Sequence, residues 1–233
     1  MAQTPQTTPA VTAAKPAPPT PPAALREGAI GTLDGAGLQK ILTDPAASEF
    51  QKAKACQRAG ETGATETVPA LAALLSDARL GTYARYGLEP IPGPAADEAL
   101  RAALGRLQGN LLVGVVASVG KRRDAKELAA LLGLMGSADA AVAEAAAAAV
   151  GSLGTAEGAK ALQAALGRAT GRRKMVAADA ALVCAERFLA DGKRAEALAL
   201  YTVLSGPTMP QAARHGAMAA IVREETRVGR PGK

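Results

Sequence analysis

Leu128-Ala129-Ala130-Leu131-Leu132 and Leu162-Gln163-Ala164-Ala165-Leu166 are two copies of one pattern, Leu-x-x-Leu/Ile/Ala-Leu, 34 residues apart. A second pair of landmarks has the same offset: Val116-Ala117-Ser118-Val119-Gly120 and Val150-Gly151-Ser152-Leu153-Gly154. Working outward, the leucine pattern occurs five times, the others being Leu38/Ile41/Leu42, Leu71/Leu74/Leu75 and Leu100/Ala103/Leu104. The first positions are spaced by 33, 29, 28 and 34 residues. A period in that range marks stacked helical hairpins, each unable to bury its apolar face alone. The leucines are expected in the core.

Composition agrees. The 233 residues are 48% apolar and only 2% aromatic, with no Trp, so the apolar mass is Ala and Leu, both helix formers. The expected class is all-α, an α-solenoid of about five hairpins plus a C-terminal hairpin. Residues 1–24 hold seven of the 15 prolines and a single charge, Lys15. They read as a disordered Pro/Thr/Ala-rich linker, with Pro-x-x-Pro spacing at Pro16, Pro19 and Pro22 as a secondary feature. Residues 25–190 form the repeats, 191–227 a capping hairpin and 228–233 a basic tail.

Local signals place the helices. Asp34 to Leu42 is a short first helix. Asp44-Pro45 supplies a cap and a first-turn proline for the next, running to about Ala59 and ending at Gly60 and Gly63. Pro69 opens a helix through Leu75, and Thr82–Glu89 is its partner. Pro90, Pro92 and Pro94 then break the chain. The third hairpin is Ala95–Leu107 and Asn110–Val119, the latter with an apolar stripe at Leu111, Leu112, Val115, Val116 and Val119. Gly114 inside it costs about 1 kcal/mol against Ala, which close approach of a neighbour can offset. Asp124 and Glu127 look like a capping box, and Asp139 starts the following helix. The fifth hairpin is Ala156–Ala169 and Arg173–Leu189. A last helix, about Gln211–Glu225, is expected to turn Arg223, Glu224, Glu225 and Arg227 outward. Gly105, Gly109, Gly120, Gly136, Gly154 and Gly167 read as turn or helix-end residues.

The paired helices of about 30 residues resemble HEAT repeats over roughly 36–190, and Gly192, Ala195, Ala197 and Tyr201 resemble half of a tetratricopeptide repeat. Ala84-Arg85-Tyr86-Gly87-Leu88-Glu89-Pro90-Ile91-Pro92, Gly114–Gly120 and Arg122-Arg123-Asp124 are similar to a group of bacterial HEAT-repeat proteins of planctomycete and verrucomicrobial type. The resemblance implies scaffolding or macromolecular binding. It also implies that Asp124 sits where such repeats tie neighbours together, and that members look exported. Met1 followed by Ala2-Gln3-Thr4-Pro5 resembles a mature exported start. The chain as given reads as cytoplasmic, and as periplasmic if a signal peptide has been removed.

The candidate binding residues are Arg85, Tyr86, Glu89, Arg122, Arg123 and Asp124. Arg85 and Glu89 are four apart and share a helix face. The competing reading, placed ahead, is an inter-repeat network of Arg–carboxylate and helix-cap bonds. Tyr83, Tyr86, Asn110, Ser118, Glu144, Asp179 and Glu186 are candidates for a polar rim. No enzyme is expected, and no cofactor or metal: His215 is the only histidine, without a ligand cluster, and no phosphate loop or dinucleotide fingerprint occurs. Net charge is +6, but the basic triplets 121–123 and 172–174 belong to turns on opposite edges, which argues against a nucleic-acid stripe. No apolar run reaches the roughly 18 residues of a membrane span. Cys56 and Cys184 are expected to stay unpaired, several hairpins apart. The expected function is a non-enzymatic scaffold binding a peptide or helix of a protein partner. The alternatives are a lyase-like or chaperone-like HEAT module, or a weak electrostatic binder of nucleic acid or an anionic envelope component.

Overall fold

The computed structural model describes residues 30–228. The linker reading of 1–24 lies outside them, and of the expected tail only Val228 is described, as the last residue of the final helix. The described residues are all-α, with twelve α-helices. In order these are α1 (Gly35–Thr43), α2 (Glu49–Thr62), α3 (Val68–Leu74), α4 (Gly81–Leu88), α5 (Pro94–Leu104), α6 (Gly109–Arg122), α7 (Leu128–Leu134), α8 (Ala140–Leu153), α9 (Ala156–Arg168), α10 (Gly171–Ala190), α11 (Arg194–Leu204) and α12 (Gln211–Val228). Short 3-10 turns at Thr65–Thr67 and Ala125–Glu127 lead into α3 and α7.

Packing is sequential. Each helix of the series α2, α4, α6, α8 and α10 lies against the next, and each hairpin partner packs on its own neighbour. The other row runs α1–α3–α5 and α7–α9–α11, with α7 meeting α5 only marginally. Leu38, Leu71, Leu100 and Leu162 are buried between the rows. The fourth copy of the pattern departs from the expectation. Leu131 is its fully buried member, while Leu128 and Leu132 are only partly covered.

Small residues set the spacing of the α2–α4, α6–α8 and α8–α10 crossings. A Cβ at Gly87 would stand 2.6 Å from the Cys56 carbonyl oxygen, and one at Gly120 would stand 2.7 Å from the Ala149 Cα. Gly151 meets the Ala180 backbone in the same way. Gly120 lies near the end of α6 as expected, but it serves a crossing, and the left-handed cap is Arg123. Gly114 is also approached closely, by the Arg85 side chain rather than by a helix backbone.

Three local expectations are corrected. Asp44 accepts from the Ala46 amide in a turn at 2.8 Å, and α2 begins five residues after Asp44, at Glu49. There Ser48 and Gln51 form a complete capping box, which satisfies two orphan amides at once and so wins over Asp44-Pro45. Glu127 does not complete a box with Asp124; it is buried and pairs with Arg101 instead. Glu224 does not face solvent but is buried against Arg194, whose Nη2 also donates to the Glu224 carbonyl at 2.9 Å. Arg223, Glu225 and Arg227 are exposed as expected. Cys56 and Cys184 are free and buried.

Candidate functional site

Helices α2, α6 and α8 each end in a left-handed residue: Gly63, Arg123 and Gly154. That conformation lets terminal carbonyls be satisfied by the amides that follow. Helix α4 has no such ending: Glu89 keeps right-handed helical angles, and Pro90 after it offers no amide. The donors come from elsewhere. Arg122, at the end of α6, donates through Nη1 to the carbonyls of Leu88 (3.1 Å), Glu89 (2.8 Å) and Ile91 (2.7 Å), and through Nη2 to that of Gly93 (3.2 Å). Its Nε pairs with Asp97 in the first turn of α5 at 2.5 Å. One planar guanidinium thus holds the whole Pro90–Pro94 break, a geometry that lysine cannot reproduce.

The face of α4 turned to α6 is polar. Arg85 Nη1 donates to Glu89 Oε1 at 2.8 Å and to Ser118 Oγ at 3.0 Å. Ser118 Oγ lies 2.7 Å from Glu89 Oε1, and Lys121 Nζ reaches the other oxygen of Glu89. Ser118, expected on an exposed rim, is fully buried. Its phase explains this: it is three residues after Val115 and seven after Leu111, on the apolar stripe. The guanidinium of Arg85 lies 4.1 Å from the Tyr86 ring centroid, so the network sets the ring from one side.

The six candidate residues therefore separate. Arg85, Tyr86, Glu89 and Arg122 converge on the α4–α6 junction. Asp124 turns away and accepts from Arg101 Nη2 at 2.7 Å, tying α5 to the turn before α7. Arg123, left-handed at φ 58°, reaches across to Asp191 after α10 at 3.0 Å. Sequence reasoning missed Arg101, Asp97 and Lys121, whose partners lie 23 to 32 residues away with no spacing rule to connect them. All three charges of the first basic triplet are taken up internally, and in the second Arg172 is held by Glu144 through two bonds of 2.6 and 2.7 Å. Arg172 holds the Glu144 carboxyl below the usual glutamate range, chiefly through that hydrogen bonding.

Two clefts stand out among the described residues. Tyr83 and Tyr86 are both about half exposed and line a cleft of about 580 Å³ with Gln57, Gly60, Glu61 and Pro90. A second cleft opens among α7, α8, α9 and α10. Asn110, Asp179 and Glu186 are exposed, as is His215 on α12. Among the described residues no group of three or more His, Cys, Asp or Glu could hold a metal ion, and no helix is long and apolar enough to cross a membrane. Neither a protein-family model nor a curated protein matches the chain.

Proposed function

We propose that the protein is an α-solenoid scaffold, with five HEAT-like hairpins closed by a tetratricopeptide-like hairpin, that binds a peptide or helix of a protein partner and catalyses no reaction. The sequential packing of the helices supports the architecture. The observation that carries the binding role is the exposed Tyr83/Tyr86 pair. Three tyrosines occur in the chain, and two of them are left in solvent on one cleft while Tyr201 is buried. Exposed tyrosines with a pre-set geometry are the residues on which protein interfaces concentrate their energy. In this reading Arg85 and Glu89 act from behind, holding Tyr86, and Arg122, Arg123 and Asp124 hold the helix ends. The test is selection of a displayed random-peptide library on the full chain. Enriched peptides are expected to share an apolar anchor pattern and to lose roughly tenfold or more in affinity with Tyr83→Ala/Tyr86→Ala. Affinity should hold in moderate salt. Failure to enrich any sequence class, or equal binding by the double variant, would sink the proposal.

A further inference from the structure

The cleft among α7–α10 has a volume of about 630 Å³, within the rough 300–1,000 Å³ range of small-molecule sites. It shares no lining residue with the tyrosine cleft. Its origin is in the sequence. Ala165 stands at the fourth position of the leucine pattern, where Ile41 and Leu74 stand in earlier copies, and it lines the cleft with Ala143, Ala147, Ala161 and Ala177. Helix α7 has only seven residues. Small side chains beside a short helix leave volume unfilled.

The mouth carries two arginines and one carboxylate, Glu144, which Arg172 pairs with and on which Arg173 also acts electrostatically. Arg168 and Arg173 are exposed at the lining, and Arg173 has no ion-pair partner among the described residues. Thr170 is the one uncharged polar side chain present. An extended peptide laid here would therefore find few partners for its own N–H and C=O groups. An alkyl chain needs none. We propose that this cleft binds an aliphatic monocarboxylate, with the chain against the alanines, Met135 and Val176 and the carboxylate on Arg168 and Arg173.

The test titrates the full chain with decanoate, decanol and decyltrimethylammonium below their aggregation thresholds, followed by calorimetry and by amide chemical shifts. Decanoate is expected to saturate at one per chain and to shift residues of α7–α10. Arg168→Glu/Arg173→Glu should weaken it roughly tenfold or more while leaving decanol unaffected; both side chains are exposed, so the fold is kept. Ala165→Leu should weaken binding of all alkyl probes by narrowing the cleft. Tyr83→Ala/Tyr86→Ala should leave decanoate binding unchanged. Absence of saturable decanoate binding, tighter binding of the ammonium probe, or an unchanged affinity in the charge-reversed variant overturns the assignment.

Discussion

Arg122 does for α4 what a left-handed ending does for α2, α6 and α8. It supplies N–H donors to four carbonyls that the Pro90 break leaves open, from a side chain only 10% exposed. Charge-assisted bonds of this kind contribute about 1.5–3 kcal/mol when one partner is lost from a buried setting. Arg122→Ala is therefore expected to cost about 3 kcal/mol in urea unfolding, and Arg122→Lys most of that, because a single ammonium cannot serve the same set of acceptors. A surface-binding arginine would give a change within about 0.5 kcal/mol, and that result would remove Arg122 from the network. The chain singles Arg122 out as the middle of a basic triplet after an apolar stripe. Its role in capping α4 does not show in the chain, because its acceptors are backbone carbonyls 29 to 34 residues earlier.

At the scale of elements, helix order and most boundaries were legible because caps, prolines and the 34-residue register act within a few residues of one another. Asp34, Asp139 and Pro69 stand at helix starts as their types require. The misreadings share a different cause. Asp44 lost to a better-spaced capping box, Glu127 and Glu224 were claimed by arginines of other helices, and Gly120 was claimed by a crossing. Gly151 gives a sharp test of that last point. Helix propensity alone predicts that Gly151→Leu stabilises α8 by about 1 kcal/mol. The contact with the Ala180 backbone predicts the reverse, a loss of about 3 kcal/mol, since backbone cannot move aside as a side chain can. Thermal and urea unfolding of this variant decide the sign.

Across the whole molecule, sequential packing means that the ends communicate only through the junctions between them. Cys56 on α2 and Cys184 on α10 report on either side of the polar α4–α6 junction. Burial pushes their thiols up to about 12 and about 11, so neither should react with a thiol reagent at pH 8 in the native state. In urea the two are expected to become reactive together in the unaltered chain. In Arg122→Ala, Cys56 should become reactive at lower urea than Cys184, which labelling followed by mass spectrometry resolves. Coincident labelling in that variant would show that the junction does not limit cooperativity. Periodicity, caps and proline placement are properties of neighbours along the chain, and from them alone follow the all-α class, the hairpin order and the burial of most pattern leucines. Which carboxylate meets which arginine, which glycine lies at a crossing and where a cleft is left open depend on how helices some 30 residues apart come to lie. Only the folded arrangement settles those, because burial and pairing are set by distance in space rather than by separation in sequence.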